Sequence, residues 1–531
     1  MSTLNGDSLP RGWAIAPLSD IAEVNPRGPD RLPNDDDLVS FVPMAAVETM
    51  SGRLSSRDLR EWKAVKRGFT RFQEGDVLFA KITPCMENGK VALASGLHAG
   101  IGAGSTEFHV LRPTRAAEGK FLMYYTLQEQ FRKDARAKMT GTAGQLRVPA
   151  SFLEERVLAL PQVSEQRRIV GAIESYLTKL DAAVAALERA RANLKRYRSS
   201  VLKAAVEGRI VPTEADLARR EGRDFEPASV LLERILAERR RRWEESQLAR
   251  MKAAGKPPKD DRWKSKYKEP AGPDTSTLPR LPDGWCWATV EQLDSGEEYA
   301  LTIGPFGSNL KVSDYALSGV PLIFVRNIRA EEFGDSMNKF ISENKAANLR
   351  PHCVLPGDIL VTKMGDPPGD VCMYPHDRPV GVITADCIRW APSALLPDRK
   401  LLVQFLRSEI VQRQILSMTK GVAQRKVSLA RFRRLAIPVA PIAEQSSLIE
   451  RIDRLLSIGD ESERVTQSSI GRSARLRQAI LKWAFEGKLV DQDPNDEPAS
   501  VLLERIRTER ASAAPPRKPK KNETRQTEAA K

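Results

Sequence analysis

The chain has 531 residues, enough for two or three domains that each bury a core. Lys and Arg total 84 against 69 Asp and Glu, a formal charge of +15, which favours a polyanionic partner because each neutralised phosphate releases a condensed counterion. Five cysteines without a CxxC pair point to a reducing, cytoplasmic setting; the opening MSTLNGDSLPRGW lacks a signal-peptide core, and no apolar run approaches the ~20 residues that cross a bilayer, so a soluble protein without a membrane partner is expected.

Taken in chain order, residues 10–160 mix short β-rich runs with glycine and proline punctuation. FVPMAAV (41–47), GDVLFAKI (75–82) and EFHVLRP (107–113) read as strands, and 121–138 as one amphipathic helix. From Glu165 to Glu207 the pattern changes. Ile173, Leu180, Leu187, Leu194 and Val201 recur every seven residues, with Val170, Leu177 and Val184 between them, so a coiled-coil helix about 60 Å long is expected. Gly208 marks its end as a C′ glycine. Residues 226–250 form a further helix whose basic run, Arg239 to Arg242, reads as a solvated face. A Pro/Lys-rich linker follows. In 282–440, VPLIFVRNI, GDILVTKM and GVITADCIRW read as strands and 400–416 as one amphipathic helix. The helix at 441–487 has Gly459, Thr466 and Ser473 on its seam, so alone it would be a poor coiled coil. Packed antiparallel against the first it still buries a stripe. The tail 514–531 should be disordered.

Self-comparison gives the strongest signal. EPASVLLERI occurs at 226–235 and again, unchanged, at 497–506. SVLKAAVEGRIV (200–211) is answered by AILKWAFEGKLV (479–490), VSEQRRIV (163–170) by IAEQSSLI (442–449), LPRGW (9–13) by LPDGW (281–285), and GDVLFAK (75–81) by GDILVTK (357–363). This is a tandem duplication with a period of about 270–280 residues. Between LPxGW and GD the copies span 65 and 75 residues and match little. One scaffold thus carries two different surfaces, which suits a protein that reads two different things. The second globule is preceded by an EPASVLLERI helix; the matching helix for the first lies at 497–510. Folded back beside residue 10, it would close the chain into a ring of approximate two-fold symmetry.

Signs of catalysis are missing. No GxxxxGK(S/T) loop is present. DPPG (366–369) has Gly369 where an amino-methyltransferase motif carries an aromatic, and it reads as a turn. Glu61-Trp62-Lys63 lacks the preceding PD of a nuclease motif. His352, Cys353, Cys372 and His376 have partial zinc spacing, but without a second tight pair they read as ordinary burial, so no metal site is assigned. Four histidines, none in a triad context, leave little room for acid–base work.

LPxGW, the GDxLxxK strand, a Thr/Gly/Gln/Arg loop (TGTAGQLRV, 140–148; TKGVAQRKV, 419–427), the EQ-initiated long helix and LKxAxEGxLV form one ordered series. Present twice, it resembles the specificity subunit of type I restriction–modification systems over nearly the whole chain. The resemblance implies an α+β fold, a pseudo-two-fold tandem repeat of two α/β target-recognition globules (1–160 and 282–440) separated by an antiparallel coiled coil of long helices (161–250 and 441–511). A linker (251–281) and a basic tail (512–531) complete the division.

It further implies that each globule reads one half of an asymmetric bipartite site on double-stranded DNA, the helices setting the gap. Modification (methyltransferase) subunits would dock on 163–250 and 442–510 and carry S-adenosylmethionine and catalysis, and a restriction (helicase–nuclease) subunit would bring ATP and Mg. This chain would hold no cofactor and no catalytic residue. Gln, Asn and Arg can read base edges bidentately, whereas Lys and Thr mostly hold phosphates. The candidate DNA contacts are Lys81, Thr83, Lys90, Thr140, Thr142, Gln145 and Arg147 in the first globule. In the second they are Ser308, Asn309, Lys311, Lys363, Lys420, Gln424, Arg425 and Lys426. The competing reading is a coiled-coil scaffold whose globules bind protein or another ligand.

Overall fold

The computed structural model describes residues 9–55, 58–142, 144–329, 332–334, 338–419 and 425–513. The tail expected to be disordered, and the candidates Lys420 and Gln424, lie outside them. Contacts divide the chain into two units: residues up to Glu188 with those from Gln467 onward, and Arg189–Thr466.

In the first unit the VLFA run is a central strand, because all four side chains are apolar and both faces find cover. Val77–Ala80 lies between Phe108–Pro113 and Val91–Leu93, with Ala22–Val24 beyond, all antiparallel. Val77 and Phe79 enter a core with Phe121 and Phe131, and Leu78 joins Val42, Phe72 and Phe108 on the opposite face. A second sheet has the order Asp58–Glu61, Leu38–Val42, Ile101–Gly104, Thr70–Gln73, with one parallel step between the middle strands.

The second unit repeats this topology strand for strand from largely different residues. Ile359–Thr362 lies between Cys387–Trp390 and Val371–Met373, with Leu301–Ile303 beyond. Its second sheet runs Phe340–Ile341, Val320–Ile323, Gly381–Ile383, Cys353–Val354, again with one parallel step in the middle. Even the buried charge is kept. Asp76 accepts two bonds of 2.9 Å from Arg112, and Asp358 accepts one of 2.6 Å from Arg389. Arg389 pairs directly with Leu360, whereas Arg112 follows the residue paired with Val77, so the arginines reach the aspartate from different register positions.

Several local expectations are corrected. Val325–Ile328 is a helical turn, not the end of a strand. GVITADCIRW breaks into Gly381–Ile383 and Cys387–Trp390, which serve different sheets. Each single amphipathic helix is two: Gly119–Thr126 with Glu129–Ala137, and Arg399–Arg407 with Glu409–Ser417. The break has one cause in both copies. Gln128 and Ser408 adopt extended backbone, and their side chains bond the carbonyls three residues back, Tyr125 and Phe405, competing with the helical ladder. The bend lets Phe131 and Ile415 reach a core that one straight stripe would miss.

The basic run is also not a solvated face. Arg239 lies 3.4 Å from the buried Asp294 and donates to the Glu291 carbonyl, and Arg242 bonds Glu297. Only Arg240 and Arg241 point outward, paired with glutamates of their own helix. Beyond that helix Trp263 stacks on Trp243, with ring centroids 6.0 Å apart.

The heptad segment is one helix, Val163–Val206, and its counterpart is Ile442–Phe485. Within each unit the two helical segments run antiparallel. In the first, Asp181 pairs with Arg477 and Leu177 shares a core with Ile480 and Leu481. In the second, Arg198 pairs with Asp460, and Leu202 shares a core with Leu448 and Ile452. Gly459 and Thr466 are buried on the seam, and a Cβ at Gly459 would touch Tyr197 at 3.6 Å, so small residues there accept large ones opposite.

The repeated motifs converge on one knot per unit. In LPxGW the glycine takes positive φ, +80° at Gly12 and +85° at Gly284, closing a turn from the tryptophan N–H to the proline carbonyl. The turn buries Trp13 and Trp285. Their indole N–H groups donate to Glu165 and Glu444 of the EQ pairs, at 2.9 and 3.1 Å. The adjoining glutamines, Gln166 and Gln445, each bond the carbonyl five residues back, 2.9 Å away in both. At the other ends of the long helices, a Cβ at Gly487 would lie 2.4 Å from Pro10, and one at Gly208 2.6 Å from Pro282. Finally the N–H of Ala499 donates to Gly12, and that of Ala228 to Gly284. The 497–510 segment thus folds back beside residue 10, as expected, and Arg507 pairs with Asp20 at 2.7 Å.

Candidate nucleic-acid interface

Each central strand ends in the lysine of GDxLxxK, and around that lysine the candidates gather. In the first globule the N–H of Lys81 donates to Glu107, and its carbonyl accepts from Val148, at 2.9 Å each. This anchors the 140–148 loop alongside the strand end. Thr140 and Arg147 bridge one another, the N–H of Gln145 bonds the Thr142 carbonyl, and the Thr83 hydroxyl accepts from Leu146. Thr140, Thr142 and Gln145 are exposed. Lys81, Thr83, Thr140, Thr142, Gln145 and Arg147 therefore share one edge. Lys90 differs: half-buried, its ammonium donates to the Met44 carbonyl at 2.9 Å, a tether inside the globule.

The second globule builds the same edge. The N–H of Lys363 donates to Asp386 at 2.8 Å, and its carbonyl accepts from Val427 at 3.0 Å. Met364–Gly365 pairs with Arg425–Lys426, leaving both basic side chains exposed. The Lys363 ammonium sits 4.6 Å above the Phe306 ring, which brings the turn carrying Ser308 and Asn309 next to it. Lys311 follows, exposed, its N–H held by Asp314. Burial, reinforced by the neighbouring Lys426, pushes the Lys363 ammonium below its usual range, against the pull of Asp386. A cavity of about 540 Å³, lined by Phe324, Arg326, Arg329, Met364, Asp366 and Asp386, opens beside this strand pair.

Two residues in these edges escaped the sequence reading, Glu107 and Asp386. Arg147 grips Glu107 with Nε at 2.9 Å and Nη2 at 2.7 Å, and this pairing holds the Glu107 carboxyl below its usual range. The first copy therefore carries an acid between two cations, Lys81, Glu107 and Arg147; in the second, Asp386 and Lys426 both act on Lys363. The available signal was an acidic residue directly ahead of a strand in each copy, EFHVLRP and DCIRW.

Other chemistry does not assemble. Among the described residues no group of three or more His, Cys, Asp or Glu is placed to hold a metal ion. His352 bonds the Ile303 carbonyl, and Cys372 lies in an apolar core. Trp62 is buried, and Lys63 pairs with Asp36 and Glu61. No helix among the described residues is long and apolar enough to cross a membrane.

Known proteins share this architecture. Residues 10–195 match the family model of the type I restriction modification DNA specificity domain. The EcoEI specificity subunit of Escherichia coli is 26% identical over 528 residues, covering 90% of this chain and 83% of that protein. The EcoAI specificity subunit, also of Escherichia coli, is 32% identical over 53% of this chain and 51% of its own length. In fold, the chain matches one solved in work on complex assembly and conformational transition of the type I R-M system, with TM-score 0.62 at 18% identity, over 90% of this chain and 99% of that one. The chain is thus similar to specificity subunits of type I restriction enzymes over most of its length, and its residues 10–195 match their DNA specificity domain.

Proposed function

We propose that this chain is the non-catalytic DNA sequence-specificity subunit of a type I restriction–modification complex. Each globule reads one half of an asymmetric bipartite site on double-stranded DNA. The long helices set the spacing and dock the modification subunits, which bring S-adenosylmethionine and catalysis; a restriction subunit brings ATP and Mg. The observation that carries this reading is the basic edge at the end of each central strand, built at one topological position by different residues. Equivalent position with unequal side chains is what two unlike half-sites require, since base edges differ in their donors and acceptors. The lysines supply phosphate contacts and the loops supply amide and guanidinium groups.

The test is to combine the purified chain with its modification subunits and follow methyl transfer to a library of duplexes. Methylation confined to one bipartite sequence is the expected outcome, together with DNA binding that weakens steeply with salt. Methyl transfer or cleavage by the chain alone would refute the reading, and binding without salt dependence would favour a protein-binding scaffold.

A further inference from the structure

Arg147 and Glu107 form more than an ion pair. A guanidinium has five N–H groups in a fixed plane. Glu107 takes one on Nε and one on Nη2, and the Gln145 carbonyl accepts one from Nη1 at 3.2 Å. One N–H on Nη1 and one on Nη2 remain. The plane carrying them is fixed from behind by a carboxylate whose backbone is itself locked to Lys81. Two parallel donors held at one orientation match O6 and N7 of guanine in the major groove, the pairing for which arginine is best suited.

Among the described residues, the second globule does not repeat this device at the matching place. Lys426 occupies the place of Arg147, as the residue before the valine that bonds the strand-end lysine, and Asp386 occupies the place of Glu107. An ammonium is a point charge with rotatable donors and reads no base in this way.

Building on the function proposed above, we infer that Glu107 is a positioning residue that fixes Arg147 to read one guanine in the half-site of the first globule, whereas Lys426 beside Asp386 contacts phosphate only. Glu107 touches no base; it acts through Arg147.

The full chain, together with its modification subunits, is used to select duplexes from a randomised pool, and per-position base preferences are compared between variants. The wild type should prefer guanine at one position of one half-site by about ten- to a hundredfold. Arg147→Lys and Glu107→Gln should each cut that preference to a few-fold and leave the other positions unchanged. Glu107→Asp, which keeps the charge, should restore part of it. Lys426→Ala should weaken binding to every sequence alike. A selected site whose profile is the same in Arg147→Lys and the wild type would overturn the inference and leave the proposed function standing. So would a uniform loss across all sequences in Glu107→Gln, the mark of a purely structural residue. Failure of the wild type to select any sequence would overturn both.

Discussion

The knot around each LPxGW turn and the basic edge at the end of each central strand belong to the same two units, yet they differ in kind. The knots agree almost atom for atom. Trp13 and Trp285 bond Glu165 and Glu444, and Pro10 and Pro282 press on Gly487 and Gly208. The edges agree only in backbone. Arg147 against Lys426, and Glu107 against Asp386, keep place and charge but change the groups presented. A close-packed knot tolerates little change, because each side chain fills space that another defines. A solvent-facing edge constrains only its backbone bonds, so its side chains are free to diverge toward different targets. On the proposed function, the knots, which repeat in their side chains, serve assembly, and the edges, which repeat mainly in backbone, serve recognition.

The largest expected effects test the knots. Trp13→Ala and Trp285→Ala should each cost about 3–5 kcal/mol, since a buried indole is removed and a buried carboxylate is stranded. Hydrogen exchange should show each destabilisation within its own unit. If one variant matched the wild type in stability, the equivalence of the knots would be broken. Next come the buried charges at the opposite end of each central strand. Arg389→Met leaves Asp358 buried and unpaired, and Arg112→Met does the same to Asp76; each should cost about 3 kcal/mol or more by denaturant unfolding. Burial already pushes the Asp358 carboxyl up, against the pull of Arg389, so adding Asp358→Asn should recover part of the stability.

Smaller effects should appear at the edges. Lys81→Ala and Lys363→Ala should leave thermal unfolding nearly unchanged and weaken DNA binding several-fold. Each should also lower the salt slope by about one for every phosphate no longer neutralised. A variant that unfolded instead would show the lysine to belong to the core.

The smallest effect is pH-dependent and separates the globules. His109 donates through Nε2 to the Val148 carbonyl at 2.8 Å. Its Nδ1 accepts from Asn25, whose carbonyl oxygen already accepts from the N–H of Val110. Burial, aided by Lys81 and opposed by the Val148 bond and by Glu107, pushes the ring below the ordinary imidazole range and so favours its neutral form. The unfolded chain takes up this proton first, so stability present at neutral pH is lost as pH falls through the imidazole range. Ile388 stands at the matching register in the second globule. Burial raises the carboxyls of Glu165 and Glu444, which act in the opposite sense at lower pH and in the same direction in both units. Exchange protection followed from about pH 7.5 to about pH 5 should thus fall in the first unit relative to the second. Identical profiles would remove His109 as the cause.

Much of the scaffold was legible in the sequence. Period, helix seams and central strands follow from identity and from apolar spacing, which are local properties of the chain. The breaks at Gln128 and Ser408 were not, since both runs have helical periodicity and only the core behind them makes a bend favourable. Arg239 and Arg242 were misread as solvated for the same reason: a charge run shows its sign, not the carboxylate it meets.

By itself the sequence determined that one frame occurs twice, that each copy carries a strand closed by a lysine, and that the copies agree least between LPxGW and that strand. Only the tertiary structure decided that the scattered repeats meet in a single knot per unit, that Glu107 stands between Lys81 and Arg147, and that Asp386 acts on Lys363. Pairings such as Trp13 with Glu165, or Arg147 with Glu107, join residues far apart in the chain. Their geometry is set by strand register and helix packing, which no local pattern encodes.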